Sequence, residues 1–275
     1  MIILFIIISI LILIEFSLYK YVKFKKKLFP WLLFDSDTYP KFQKDLINKF
    51  FKLSFDKHLG WNRKSNTKGE DVIQKGKAIF HINRHGERST PGYNEKNGKI
   101  AVYGDSFAFC RLVNDDETWP YFLSKSLGEK VSNFGVGNYG FDQCLLKLKN
   151  REYPDTCKII VFAIVPETIV RVRSAWKHFF EYGNILAFKP IYEIRKGKLK
   201  LLKNPIQSKD DFNDKNIFKI IDVLKKNDYF FKNKFIKDFL KFPLIYYLFK
   251  NKGRSIKILF ELFLGDIKYR KNEKE

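Results

Sequence analysis

An apolar run opens the chain. From Ile2 to Tyr19 the residues are almost all Ile, Leu and Phe, interrupted only by Ser9, Glu15 and Ser17. This length is close to the ~20 residues that a helix needs to cross a bilayer. The alternative, a buried core helix, is disfavoured because the segment has no polar face. We therefore expect a single transmembrane anchor over residues 1–20, with Glu15 reaching toward the interface.

The run is not typical of a cleaved signal peptide, because it lacks a basic start and a small-residue cleavage site. A basic cluster follows it directly: Lys20, Lys23, Lys25, Lys26 and Lys27. By the positive-inside rule, such a cluster keeps the C-terminal side of the anchor in the cytoplasm.

A second pattern lies near the middle of the chain. The β-branched and aromatic run Ile100–Tyr103 ends at Gly104-Asp105-Ser106, and a helix-compatible segment follows. This pattern predicts a strand, a sharp turn and a helix start, which places Ser106 at the C-terminal end of a parallel strand. Backbone N–H groups at such a helix start can face a developing negative charge. The alternative is a plain turn in which Ser106 only caps the helix.

The same alternation continues after Ser106. It predicts a helix, a strand, a glycine-rich loop, a second helix and a strand buried on both faces, at Trp119–Leu127, Lys130–Phe134, Gly135–Gly140, Phe141–Arg151 and Lys158–Val165. Strands that alternate with helices in this way favour a parallel, doubly wound sheet.

The flanking segments are less regular. Upstream we expect a helix over Phe42–Phe55, a polar loop over Lys64–Lys77 and a short strand over Phe80–Asn83. Arg84, His85 and Arg88 follow in an irregular stretch, where a solvated loop is favoured over contact with a substrate.

Downstream the pattern predicts a hairpin with Gly197 in its turn, a capped helix and two basic segments rich in aromatic and aliphatic residues, at Ile191–Leu202, Ser208–Lys226, Tyr229–Phe249 and Ser255–Leu264. For the two basic segments, contact with the folded domain is favoured over a position on a membrane surface.

Composition changes this picture little. The 275 residues carry a net charge of +22, and 45% of them are hydrophobic, which favours a folded core. The lysines are spread along the chain without a concentrated basic tract or a nucleic-acid motif, so we expect no nucleic-acid partner. Cys110, Cys144 and Cys157 have no metal-ligand or Cys-x-x-Cys spacing. We expect no cofactor and no metal.

Three stretches together carry a family resemblance: Gly104-Asp-Ser-Phe107, Asp116-Glu-Thr-Trp-Pro120, and Asn133-Phe-Gly-Val-Gly-Asn-Tyr-Gly140 with the following Asp142-Gln143. With them the chain resembles the SGNH (GDSL-type) hydrolases and esterases, in particular their membrane-linked bacterial branches. The resemblance implies a three-layer α/β/α domain with a flavodoxin-like parallel sheet, incomplete at its C-terminal end.

The resemblance also implies roles for individual residues. Ser106 would be the nucleophile, and its N–H and the Gly137-Asn138 loop would stabilise the oxyanion. Asp105 and Arg171 are the candidate substrate-binding residues. The family often has glycine where Asn138 stands, and asparagine is the non-glycine residue that best tolerates left-handed backbone angles.

The chain departs from the family at two places. After the third strand it has Val165-Pro-Glu-Thr168 where the family has Gly-x-Asn-Asp, and Glu167 is placed to pair with Arg171 on a helix. The family's Asp-x-x-His block, which supplies the base, is missing. His178 is the histidine downstream of Ser106, and a structural role is favoured for it. The chain is then either shortened or a degenerate member that has lost catalysis.

The sequence thus predicts residues 1–20 as an anchor, 21–98 as an extension and 99–275 as the hydrolase-like domain. The expected function is ester hydrolysis on O-acyl groups of carbohydrate or envelope polymers, weak without the missing block. The alternative is a non-catalytic membrane-associated binding or scaffolding protein. The expected partners are the lipid bilayer and an acylated carbohydrate. The side of the membrane stays open, because related envelope enzymes face outward.

Overall fold

The computed structural model describes residues 1–26, 33–74, 76–94, 98–150 and 157–250. The chain divides into two units. One combines Met1–Pro40 with Phe231–Glu275, and the other is Lys41–Phe230. The predicted segment Ser255–Leu264 lies outside the described residues, as do Lys27 and Arg151.

The described helices are α1 (Ile2–Lys25), α2 (Lys44–Leu53), α3 (Ser106–Phe109), α4 (Trp119–Leu127), α5 (Phe141–Lys149), α6 (Lys177–Phe180), α7 (Asp214–Asn227), α8 (Tyr229–Asn233) and α9 (Leu244–Lys250). Short 3-10 helices lie at Asp35–Thr38, Asp115–Glu117, Pro166–Arg173, Lys209–Phe212 and Phe235–Lys237. The described strands are β1 (Phe55–Asp56), β2 (Gly60–Trp61), β3 (Thr67–Ile73), β4 (Gly76–Ile82), β5 (Ile100–Gly104), β6 (Val131–Asn133), β7 (Ile159–Ala163), β8 (Ile191–Arg195) and β9 (Lys198–Leu202).

A three-stranded parallel sheet forms the centre of the larger unit. Its order is β6-β5-β7, so the strand that precedes Ser106 lies in the middle. In the register of the sheet, Val102 lies opposite Asn133 on one side and Val161 on the other. The prediction of a mixed α/β unit with a parallel sheet is confirmed.

The two faces of β5 are covered by different helices. Ala101 and Tyr103 lie in one buried cluster with Cys144 and Leu146 of α5. Val102 lies in another, which includes Leu123 of α4. Side chains alternate between the faces of a strand, so an apolar run such as Ile100–Tyr103 buries both faces at once.

The outermost described strand, β7, is more exposed than predicted. Ile159 is 54% exposed, and the rest of β7 is only partly buried. Within the described residues β7 pairs with β5 alone, and an edge strand has one uncovered side. The prediction of a strand buried on both faces is therefore wrong.

The segment Lys64–Lys77 is not the predicted loop. Most of it forms β3, which pairs in register with β4, from Thr67 opposite Ile82 to Ile73 opposite Gly76. The strand alternates half-buried and exposed residues, and polar residues stand at both kinds of position: Lys68 and Glu70 are exposed, and Thr67 and Asp71 are half-buried. The sequence therefore lacks the alternation of apolar and polar residues by which a half-buried strand is predicted.

Several local predictions agree with the structure. Helix α4 is capped by the Thr118 side chain and ends at Gly128 in the left-handed conformation. The hairpin β8–β9 turns at Lys196 and Gly197, both with positive φ, as a type I′ turn requires. The predicted helix over Ser208–Lys226 is a 3-10 turn followed by α7.

The smaller unit contains the apolar helix. Among the described residues, α1 is the one helix long and apolar enough to cross a bilayer, a property that membrane anchors and signal sequences share. Glu15 does not reach outward as expected: it is 6% exposed, and its carboxylate accepts the N–H groups of Leu244 and Ile245 at the start of α9. The first N–H groups of a helix have no partner within the helix, so a carboxylate is a favourable acceptor there.

Four lysines are buried among the described residues: Lys130, Lys147, Lys177 and Lys189. Three of them contact a carboxylate. Lys130 lies 2.7 Å from Glu87, Lys177 lies 2.8 Å from Glu181, and Lys189 pairs with Asp142. Lys147 instead donates to the amide oxygen of Asn62, at 2.7 Å. Burial lowers the pKa of Lys147 from 10.5 to about 7, with Asp56 opposing the shift.

This buried ammonium makes stability depend on pH. Between pH 7 and pH 10 the unfolded chain keeps a proton that the folded protein has lost at Lys147, so raising the pH favours the folded state. We expect Lys147→Met to be more stable than the wild type at pH 7, and its advantage to shrink by roughly 3 kcal/mol by pH 10. The measurement is urea unfolding at several pH values in phosphate-free buffer. Lys149→Met changes an exposed lysine on the same helix. Its free energy of unfolding should depend on pH in the same way as that of the wild type. An advantage of Lys147→Met that does not change with pH would contradict the prediction.

Candidate active site

Ser106 stands at the turn between the central strand and α3. Asp105 precedes it as the helix cap, and its carboxylate accepts the N–H of Phe107 at 2.9 Å. Ser106 itself is partly exposed, whereas Asp105 is buried. In the described part of the chain, neither the hydroxyl nor the N–H of Ser106 makes a hydrogen bond. The strand, turn and helix start predicted around Ser106 are present. Helix α3 has only four residues, so its dipole contributes little.

Two glycines allow the backbone to close around this turn. A Cβ on Gly104 would lie 2.6 Å from Ala108 Cβ and from the carbonyl oxygen of Ala163. A Cβ on Gly135 would lie 2.4 Å from the backbone nitrogen of Phe109. The loop after β6 therefore lies directly against the backbone of α3, at a distance that only glycine permits.

Asn133 joins the same two segments through its side chain. Its Nδ2 donates to the carbonyl of Ala108 at 2.9 Å, and its Oδ1 accepts the N–H of Gly135 at 3.0 Å. The N–H of Val136 then donates to the carbonyl of Gly104 at 3.0 Å. The sequence places Asn133 in a family block without a role, and the structure shows that it holds the loop.

The tip of the loop is Gly137-Asn138. Asn138 has φ of 69°, the left-handed conformation expected for it. Neither residue uses its N–H in a hydrogen bond among the described residues. The carbonyl of Gly137 accepts from Trp61 Nε1 at 3.1 Å, and Tyr139 donates its hydroxyl proton to the carbonyl of Trp61 at 2.6 Å. Trp61 therefore orients the loop tip. The sequence does not predict this role, because Trp61 lies 76 positions before Gly137.

Asp105 and Arg171 come together. Arg171 Nη1 lies 3.3 Å from the Asp105 carboxylate and donates to the carbonyl of Tyr139 at 3.0 Å. Glu167, the partner predicted for Arg171, is exposed instead. Residues 166–173 form a 3-10 helix, in which positions three apart share a face and positions four apart do not. The predicted Glu167–Arg171 pair is therefore wrong.

Three side chains in the sequence are candidates to replace the asparagine that the family has after its third strand: Thr168, Arg171 and Asn138. Thr168 does not serve in this way. It is buried, and its hydroxyl donates to the carbonyl of Val165 at 2.8 Å. Arg171 is engaged by Asp105 and Tyr139. Of the three, Asn138 is the exposed one. Thr168 and Arg171 are thus engaged elsewhere, and the Asn138 side chain is exposed.

All four histidines are described, and none of them hydrogen-bonds Ser106. His81 contacts the Asp115 carboxylate at 2.8 Å, and His85 accepts from Arg84 Nε at 3.0 Å. His178 is buried, accepts the N–H of Gly183 and stacks on Trp176 at 4.6 Å. Its structural role, favoured on sequence grounds, agrees with these contacts.

Arg88 is not in a solvated loop. Its side chain is 1% exposed and donates to the carbonyls of Phe109, Cys110 and Val113, each at 2.6 Å, and to Asp115 at 2.9 Å. It thereby fixes the end of α3 and the segment that follows. This role cannot be predicted from the sequence around Arg88, because all of its hydrogen-bond partners lie more than twenty residues away.

The thiols are poor nucleophile candidates. Burial raises the pKa of Cys110, and it raises the pKa of Cys144 to about 12. A thiol reacts as its thiolate, so both groups are inert near neutral pH. In the ranges that the structure describes, no group of three His, Cys, Asp or Glu side chains is placed to hold a metal ion.

Beside the loop tip lies a polar cavity of about 220 Å³, lined by Gly137 and Asn138 together with Arg63, Asp71 and Arg111. Arg111 pairs with Asp71 at 3.1 Å. Ser106 is not among the residues that line this cavity.

Comparisons with known proteins add no relative: no protein-family model matches the chain, and a search of curated proteins finds no match.

Proposed function

We propose that this protein is a membrane-anchored ester hydrolase of the SGNH (GDSL) type, with Ser106 as its nucleophile and an O-acylated carbohydrate or envelope polymer as its substrate class. The observation that carries the proposal is the position of Ser106, half-buried at the end of the central parallel strand. Among the described residues its hydroxyl and N–H make no hydrogen bond, and neither do the N–H groups of Gly137 and Asn138.

The sheet supports the same assignment. The order β6-β5-β7 has the first strand in the middle, as in doubly wound sheets whose ligands bind beyond the carboxyl ends of the strands. In a complete three-layer α/β/α domain, further strands would continue this sheet and helices would cover both of its faces. Helix α1 would anchor the domain, because its length and composition suit a bilayer.

In the reaction, Ser106 Oγ would attack the acyl carbonyl carbon and give its proton to solvent water, because no described histidine hydrogen-bonds the hydroxyl. Solvent would return a proton to the alcohol oxygen when its bond to the acyl carbon breaks. The carbonyl oxygen would become an oxyanion, held by the N–H groups of Ser106, Gly137 and Asn138. Expulsion of the alcohol would leave an acyl-serine, which water would hydrolyse. The contact of Arg171 with Asp105 would position the turn that carries the nucleophile.

The proposal is tested with a fluorophosphonate probe on the full chain in a non-ionic detergent. The wild type is expected to label, slowly because no histidine contacts Ser106, and Ser106→Ala is expected to lose at least 90% of the label, because the probe forms its covalent bond with the serine oxygen. Ser126→Ala, an exposed serine on α4, serves as the matched control and should label like the wild type. Equal labelling of the wild type and Ser106→Ala would remove Ser106 from the mechanism.

The second candidate is a non-catalytic binding or scaffolding protein built on the same half-domain. The observation in its favour is that none of the four histidines contacts Ser106, and a serine without its base loses orders of magnitude in rate. This candidate predicts no labelling of the wild type under conditions in which a control serine esterase labels fully.

A further inference from the structure

A second polar cavity, of about 420 Å³, opens between α5, β5 and the segment after β1. Basic side chains dominate its lining: His58, Arg63, Arg84, His85 and Lys147. Among its described lining residues, Asp56 is the one carboxylate. The cavity therefore carries an excess of positive charge.

Lys147 is the most unusual group in the cavity. Its side chain is buried, yet its ammonium donates one described hydrogen bond, to Asn62. An ammonium has three donors, and the other described neighbour of Nζ is the Phe134 ring, whose centre lies 5.9 Å away, so hydrogen-bonding capacity is left for a ligand. The other three buried lysines each contact a carboxylate, and Lys147 makes no ion pair within the described residues. A buried charge normally has such a partner.

Arg63 provides a second cation with spare donors. Its guanidinium carbon lies 4.7 Å from the centre of the Phe80 ring and 4.6 Å from that of Phe109. In the described part of the chain, its guanidinium nitrogens make no hydrogen bond. Aromatic contacts fix the plane of the guanidinium and leave its N–H edge available.

The single carboxylate cannot neutralise these cations. Asp56 Oδ1 already accepts the N–H groups of His58 at 2.8 Å and Leu59 at 2.9 Å. An incoming anion would meet Lys147, Arg63 and, at the exposed rim, Arg84. A guanidinium and an ammonium together match the oxygens of a phosphate, and a phosphate monoester supplies nearly two negative charges at neutral pH.

We propose that this cavity binds a small phosphate monoester, with its phosphate oxygens held by Lys147 and Arg63. The remaining volume accommodates the polar group to which the phosphate is attached, against Asn62, Ser65 and Tyr103. The site is separate from Ser106 and does not depend on the proposed esterase activity.

The test is calorimetric titration of the full chain in non-ionic detergent with inorganic phosphate and with glycerol 3-phosphate. We expect saturable binding of both, tighter for glycerol 3-phosphate, and an affinity at least tenfold weaker in Lys147→Met. Lys149→Met removes the same charge from the same helix outside the cavity, and it should bind within twofold of the wild type. Ser106→Ala should also bind like the wild type, which separates this site from the esterase proposal.

Two further measurements keep the proposal falsifiable. Arg84→Gln changes an exposed residue at the rim of the cavity and should weaken binding at least threefold without altering the buried Lys147. The difference in affinity between the wild type and Lys147→Met should narrow from pH 6.5 to pH 8.5 as Lys147 loses its proton. Asp56, His58, Arg63, Arg84, His85 and Tyr103 also line the cavity, and they are the same in the wild type and in Lys147→Met, so the difference between the two proteins isolates Lys147. Absence of saturable binding to the wild type, or equal losses in Lys147→Met and Lys149→Met, would overturn the proposal.

Discussion

Replacing Arg88 with methionine is expected to lower the free energy of unfolding by roughly 3 to 5 kcal/mol. The substitution removes four hydrogen bonds from a side chain that is 1% exposed. It leaves the carbonyls of Phe109, Cys110 and Val113 without this donor and the carboxylate of Asp115 without its cation. Buried acceptors that lose their donors carry the full cost of desolvation. Urea unfolding followed by tryptophan fluorescence measures the loss.

Arg111→Met is the matched control for this prediction. Arg111 also pairs with an aspartate, Asp71, but its side chain is 48% exposed. An ion pair at the surface contributes little, so the loss should stay below about 1 kcal/mol. The double variant Arg88→Met with Asp115→Asn should be less destabilised than the sum of its single variants, because removing the second charge relieves part of the penalty. Similar losses for Arg88→Met and Arg111→Met would show that burial of Arg88 is not decisive.

Gly135→Ala is expected to destabilise the protein by about 3 kcal/mol. The added methyl group would lie 2.4 Å from the nitrogen of Phe109 and 2.7 Å from the carbonyl carbon of Ala108. Both are backbone atoms, which cannot rotate away as a flexible side chain can. The loop would have to move off α3, and it would stretch the two hydrogen bonds of Asn133. Thermal and urea unfolding both report the change.

Gly137→Ala, two residues along the same loop, separates this steric effect from a general loss of loop flexibility. Its added Cβ would meet nothing nearer than Arg111 Cδ at 3.8 Å, so stability should change by no more than about 1 kcal/mol. If Gly135→Ala proved as mild as Gly137→Ala, the close approach between the loop and α3 would be refuted.

Local signals in the sequence predicted the elements that carry Ser106. The run Ile100–Tyr103, the helix Trp119–Leu127 and the left-handed Asn138 each depend on neighbours within a few positions. The glycine-rich loop was likewise predicted at its place after β6. These features follow from backbone preferences and from the pattern of apolar residues.

The contacts that support the turn could not be predicted in the same way. Arg88 stands in an irregular polar stretch, and its partners Phe109 and Asp115 are remote in sequence. Trp61 contacts a loop 76 positions away. Arg171 pairs with Asp105 and not with Glu167, because residues 166–173 form a 3-10 helix. Each outcome is decided by the tertiary fold, which hydrophobic periodicity does not encode.

The contact between Trp61 and the loop tip bears on how the protein should be shortened for crystallisation. A version that starts at Lys99, where the resemblance to the hydrolases begins, would lose the indole that holds Gly137 and the Leu59 carbonyl that accepts from Gln143 at 2.7 Å. It would also lack Arg88. A soluble version is better begun at Lys41, the first residue of the larger unit. It then keeps Leu59, Trp61 and Arg88, whose hydrogen bonds hold the loop around Gly137 and the end of α3.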